Sequence, residues 1–194
     1  MRTIISIDVE TDGPIPGPNA MRQLGAAAFD MTGKELGSFC VNLKPLPGSR
    51  PDKRTMEWWM KQDAETRRMI GKNPVDPKDA ITRFHNWVIQ FQKPKLFAAP
   101  VAYDGSFVRW YTRYFGITSN IYHAMIDMRT VVWILAGEFE GDYKKTIQRV
   151  VHLEVASNPR PHYALEDARE QCRWLFALLN SRILTDARDN LIPF

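Results

Sequence analysis

Two carboxylates, Asp8 and Glu10, stand two residues apart at the end of the apolar run TIISID at 3–8. Side chains alternate between the faces of an extended strand, so both project from the same side. A solvated strand end is the ordinary reading of such a pair. Ile7 and Val9 alternate with them, however, and a strand whose neighbours are core places both acids at an interior edge. Like charges there are costly unless a cation sits between them. Oxygen ligands suit a hard divalent ion, and on this pair alone the two readings stand side by side.

Asp104 follows the strand candidate FAAPVAY and precedes a helix, the place where an α/β sheet collects functional groups at its carboxyl edge. Taken alone, it reads more simply as a helix N-cap. Asp127, after IYHAMI, is read as structural, capping a helix that begins at Met128 or Arg129. The segment Pro161-His162-Tyr163-Ala164-Leu165-Glu166-Asp167-Ala168 sets an imidazole five residues before an acid at the start of an amphipathic helix. Asp167 falls among helical apolar residues, where an unpaired carboxylate is expensive. A metal shared with Asp8 would partner it, and His162 would then reach a bound water with a pKa near the working pH.

Positioning these groups requires a frame, and the sequence supplies one. Residues 3–8, 23–30 and 36–43 read as strands, with Thr32-Gly33-Lys34 as the turn of a hairpin between the last two. Thr55 is the expected N-cap of a first helix, Asp63 starts a second that ends at Gly71, and Asp76-Pro77 opens a third. Ile81, Phe84, Trp87, Val88 and Phe91 mark the core-facing stripe of the third. A strand in KLFAAPVAY, a helix over 105–115, a strand in IYHAMIDM and a helix in TVVWILAG follow. A closing helix spans 162–183. The expected architecture is α/β: a five-stranded mixed sheet, three antiparallel strands and then parallel ones, flanked by helices in one domain over 1–194.

The 194 residues are 44% hydrophobic, ample for a buried core. No apolar stretch approaches the roughly 20 residues that cross a bilayer, so neither a signal peptide nor a membrane span is expected. Cys40 and Cys172 have no ligand-spaced neighbours, which argues against a zinc site or a disulfide framework and leaves the cytoplasm as the default compartment. The net charge of +4 weakly favours a polyanionic partner. His85, His123 and His152 lack partners at ligand spacing and are expected to be structural. Trp58 and Trp59 are candidates for stacking on a base, and adjacent helical positions allow one at most to face a substrate. Arg22, Arg109, Arg113 and Arg160 are candidates for phosphate contacts, with solvated surface as the simpler reading.

IDVET at 7–11, AYDGSFVRW around Asp104 and HYALEDA at 162–168 resemble the three motifs of DEDDh exonucleases of the DnaQ-like, RNase T-like superfamily. The likeness covers nearly the whole chain in order and spacing. It implies an RNase H-like fold and a 3′–5′ exonuclease in which Asp8, Glu10, Asp104 and Asp167 hold two Mg²⁺ or Mn²⁺ ions and His162 activates the attacking water. The implied substrate is the 3′ end of single-stranded RNA or DNA, RNA slightly favoured, and the product a nucleoside 5′-monophosphate. Thr11, Met21, Leu24, Gly25, Trp59 and Phe107 are the expected substrate-binding positions, and a homodimer is admitted by analogy. A sister group places Tyr four residues before the last Asp, where Tyr163 stands; the following ALEDA favours His162. The rival readings are a non-catalytic nucleic-acid-binding domain of the same fold and a hydrolase of small phosphoesters.

Overall fold

Alternation along the first strand separates two hydrophobic cores. In the computed structural model, which describes residues 2–136, 141–151, 156 and 158–180, β1 (Thr3–Thr11) sends Ile5, Ile7 and Val9 to one side of a sheet. Ser6 and Asp8 are engaged on the other side. The same two-residue period sorts β2 (Met21–Phe29), with Leu24, Ala26 and Ala28 in the first core and Ala27 and Phe29 in the second. β3 (Glu35–Asn42), β4 (Pro94–Ala98) and β5 (Ile126–Asp127) complete the sheet in the order β3-β2-β1-β4-β5. β1–β2 and β2–β3 are antiparallel, and β1–β4 and β4–β5 are parallel. The five-stranded mixed sheet expected from the sequence is the one observed, and β1 lies at its centre.

Helices cover both faces. α1 (Lys53–Trp59) and α2 (Ala64–Ile70) follow the hairpin, and α3 (Pro77–Val88) and α4 (Asp104–Tyr114) contribute Ile81, Phe84, Phe107 and Tyr111 to the first core. α5 (Met128–Ala136), α6 (Tyr143–Val151) and α7 (Ala164–Leu179) build the second around Met128, Ile147 and Cys172. Asp63 and Asp76 cap α2 and α3 as expected, and Asp127 caps α5 through the Thr130 amide.

Several expectations are corrected. The N-cap of α1 is Asp52, whose carboxylate accepts from both the amide and hydroxyl of Thr55. β4 stops at Ala98, short of the expected 95–103, where Pro100 brings no amide to a ladder. The strand expected over 121–128 shrinks to Ile126–Asp127, because a 3₁₀ turn at Asn120–Tyr122 buries Tyr122 beside Phe84 and His85. α7 begins at Ala164, since His162 holds a left-handed φ of 62° and Tyr163 is extended. His152 and residues 181–183, the expected end of that helix, lie outside the described residues. α6 was not legible as a separate helix.

Gly25 decides how closely α7 approaches the sheet. It pairs with Asp8 across β1–β2, and a Cβ there would stand 2.2 Å from the Ala164 carbonyl carbon and the Leu165 nitrogen. Both are backbone atoms that cannot swing aside. Gly25→Ala is therefore expected to lift the start of α7 and destabilise the fold by roughly 1–3 kcal/mol, read as a fall of several degrees in the thermal midpoint. An unchanged midpoint would show that α7 is not held at this distance.

Candidate active site

The carboxyl end of β1, the first turn of α4 and the first turns of α7 meet at one place. Glu10, His162 and Asp167 each offer a ligand atom, and these atoms lie within 4.8 Å of one another. Asp8, one pleat back on the same face as Glu10, accepts a hydrogen bond from the Gln171 side-chain amide at 3.0 Å. Gln171 in turn accepts from the Ser6 hydroxyl at 3.1 Å, so one buried amide ties α7 to two positions of β1. Asp104 does not cap its own helix. Tyr103 holds the N-cap position without a side-chain bond, while the Asp104 carboxylate turns back and accepts from the Val9 amide at 3.2 Å. The N-cap reading of Asp104 gives way to one in which it is buried beside β1.

Electrostatics bind the four acids into one unit. Burial, then the Asp104, Glu10 and Asp167 charges, raises Asp8 well above the usual carboxylate range. Burial, then Asp167 and Asp104, does the same to Glu10. Asp104 is pushed up to about 7, chiefly by burial, with the Val9 amide opposing. Asp167 is pushed up to about 6 by burial and then by Glu170, against hydrogen bonds from the His162 backbone and from Asn158. Lys144 is the nearby cation that favours the charged forms of Asp8 and Asp167, yet its ammonium is paired at 2.7 Å with Glu170. Acids arranged in this way accept a divalent cation, which replaces mutual repulsion with attraction. The donor set, all carboxylate oxygen with one imidazole at its edge, fits a hard ion.

His162 and Tyr163 part company. The imidazole lies edge-on to Trp58, with centroids 4.8 Å apart, and faces Glu10 and Asp167. Burial and then Lys144 hold its pKa below the ordinary value. Tyr163 instead meets the Cys40 thiol at 3.5 Å and lies under the Arg160 guanidinium. Two neighbouring residues thus take opposite directions from one left-handed turn.

Beside the acids lies a pocket of about 430 Å³ lined by Glu10, Thr11, Arg54, Trp58, Trp59 and Tyr103. Thr11 borders it, but its hydroxyl is engaged by Tyr103 and by the Gly13 carbonyl. Trp59 is 8% exposed and donates its indole N–H to the Thr11 carbonyl, whereas Trp58 is 40% exposed. Of the two, Trp58 is the ring free to meet a ligand. Met21, Leu24 and Phe107 are wholly buried in the first core, and Gly25 lies beneath α7. These four do not line this pocket, whereas Thr11 and Trp59 of the same expected set do. Phe107 packs on Tyr103, whose centroid lies 5.5 Å away.

Four participants were missed. Gln171 stands four residues after Asp167 on one helical face, a spacing that the sequence displays. Gln23, polar within an apolar strand run, accepts from the Ala164 amide and so seats the start of α7. Asn158 and Lys144 reach the site from segments without any local signal.

Comparison with known proteins follows this geometry. Residues 3–179 match the profile of the 3′-5′ exoribonuclease Rv2179c-like domain. The 3′-5′ DNA exonuclease Cap18 of Escherichia coli is 27% identical over 184 residues, covering 91% of this chain and 90% of Cap18. Among solved structures, cell-death related nuclease 4 (CRN-4) superposes with a TM-score of 0.67 at 17% identity, over 92% of this chain and 64% of that one. E. coli exonuclease I in complex with a dA16 oligonucleotide gives 0.71 at 14% identity, over 96% of this chain and 43% of that one. These structures share the fold, and the chain spans less than two thirds of either.

Repulsion among the acids makes a measurable demand. Asp104→Asn keeps an acceptor for the Val9 amide while removing a charge. In EDTA it is expected to raise the thermal midpoint, by about 2–4 °C for each kcal/mol of repulsion relieved. Mg²⁺ or Mn²⁺ should stabilise the wild type and do less for the variant. A lowered midpoint with no response to either ion in the wild type would contradict the electrostatic account.

Proposed function

This chain belongs to the 3′-5′ exoribonuclease Rv2179c-like family, and from that membership we propose that it trims single-stranded RNA from the 3′ end, one nucleotide at a time. The 3′-5′ exonuclease activity follows from the family; the polymer, the ions and the residue roles are our inference. One observation carries it. From three distant segments, Glu10 on β1, Asp167 on α7 and His162 offer ligand atoms within 4.8 Å of one another where β1 ends, and the charges of Asp8 on β1 and Asp104 on α4 act on the same cluster.

In this reading the four carboxylates hold two Mg²⁺ ions, which when bound supply positive charge to the phosphate during in-line displacement. His162, whose pKa burial and then Lys144 hold below the ordinary value, takes a proton from the attacking water at an imidazole nitrogen. The water oxygen bonds to phosphorus as the P–O3′ bond breaks, releasing a nucleoside 5′-monophosphate, and the departing O3′ takes a proton from solvent to become the new 3′ hydroxyl. Asn158 orients Asp167, and Gln171 orients Asp8. Trp58 offers an exposed ring face to the terminal base.

RNA is supported by the description of the family, and the relation to Cap18 supports DNA as a second reading. A single exonuclease domain over 1–194, working in the cytoplasm and able to pair as a homodimer, belongs to the same proposal. Among the described residues, no helix is long and apolar enough to cross a membrane.

Matched 5′-labelled RNA and DNA oligomers with Mg²⁺ test the proposal. A ladder of shortened RNA is expected. His162→Ala should lower kcat by about 10²–10⁴-fold, while Tyr163→Phe leaves it close to wild type. A ladder on DNA alone selects the second reading, and intact oligomers of both kinds with every divalent ion would overturn the assignment.

A further inference from the structure

The first turn of α4 separates two concavities. Tyr103 lines the pocket that contains Glu10, and Ser106, one turn on, lines a groove of about 600 Å³ on the other flank. Arg109, Trp110, Arg113 and His123 also line the groove, beside apolar residues that include Val101 and Met125. Arg109 and Arg113 stand one helical turn apart and are exposed, and neither pairs with a carboxylate among the described residues. Trp110 stacks on the exposed Tyr114, with centroids 4.7 Å apart and planes at 13°. Its indole is closely seated, since a Cβ at Gly17 would stand 2.7 Å from it.

Solvated arginines and a packing tryptophan are the ordinary explanation of these residues taken singly. Their joint placement argues otherwise. Two uncompensated guanidiniums and an imidazole share one concavity with Trp110, whose ring Tyr114 holds from outside the groove, the combination by which single-strand binders track phosphates and stack bases. The groove also adjoins the turn that presents Asp104, so a strand whose 3′ end lies at the acids has this groove on the next flank.

We propose that this groove binds the nucleotides upstream of the scissile end of a single-stranded polynucleotide, with Arg109 and Arg113 contacting its phosphates. The inference deepens the exonuclease reading above and rests on it for the position of the 3′ end. Binding can be measured without cleavage, so the two fail separately.

The test is fluorescence anisotropy in the His162→Ala background with Mg²⁺, using labelled single strands of about twelve and about three nucleotides. Arg109→Ala/Arg113→Ala is expected to raise Kd for the long strand about tenfold and leave the short strand unchanged. The slope of log affinity against log salt should fall by about 1.4, or about 0.7 for each lost phosphate contact. Lys78→Ala/Arg83→Ala removes the same charge from exposed sites on α3 and should change neither strand. An unchanged long-strand Kd, an equal loss on both lengths, an equal effect of the α3 pair, or a larger effect on duplex than on single strand would each overturn the proposal. Wild-type protein that binds the long strand through these arginines yet shortens nothing would leave the groove standing and remove the exonuclease reading.

Discussion

Four carboxylates, Glu10 and Asp104 buried and Asp8 and Asp167 partly so, gather at the end of one central strand and repel one another, and much of the surrounding structure is arranged to hold them together. β1 can carry Asp8 and Glu10 there because Ile5, Ile7 and Val9 anchor its opposite face. That burial fixes the strand in the sheet while its other face carries the acids, and the β1–β2 register shifts between Glu10 and Thr11, just past them. Gln171 and Ser6 fix α7 against β1, and Gln23 seats the helix start. Gly25 removes the one side chain that would keep α7 away. Each of these contacts brings negative charges closer, and a protein cation does not settle the account, because Lys144 is already engaged by Glu170. A divalent cation among the carboxylates would resolve a conflict that Lys144, beside Asp8 and Asp167, and Arg129, beside Asp104, offset only in part.

The periodicities that define the fold were legible because both cores are strongly apolar. A two-residue alternation on the strands and the Ile81, Phe84 and Val88 stripe on α3 follow directly from burial. The shortest strand was not legible, although the seven-residue helices α1 and α2 were. β5 is two residues long, and its sequence neighbours Ile121 and Tyr122 are apolar because they join the core from a 3₁₀ turn. Apolar content alone does not distinguish these cases.

Strand alternation places Asp8 and Glu10 on one face and the helical pattern marks Asp167, but the four acids were readable as a set only through the resemblance of their three motifs to a known family, and Asp104 shows the limit of local reasoning. Its neighbours resemble those of any helix cap, and only the backbone amide of Val9, 95 positions away, reveals its direction. His162 and Tyr163 differ for a similar reason. Spacing fits either, but a left-handed φ at His162 sends the imidazole inward and lets Tyr163 run toward Cys40 on β3. The expected nucleotide contacts separate by burial: Met21, Leu24 and Phe107 lie in the first core, while Trp59, held by the Thr11 carbonyl, and the more exposed Trp58 both line the pocket.

The claim on which this account stands is that the carboxylate cluster is a cation site. Diffraction from crystals soaked in Mn²⁺, recorded at the manganese absorption edge, addresses it directly. Anomalous density is expected within the space enclosed by Asp8, Glu10, Asp104 and Asp167, in contact with their oxygens. Manganese bound elsewhere, or absent while Lys144 turns inward to neutralise the acids, would contradict it.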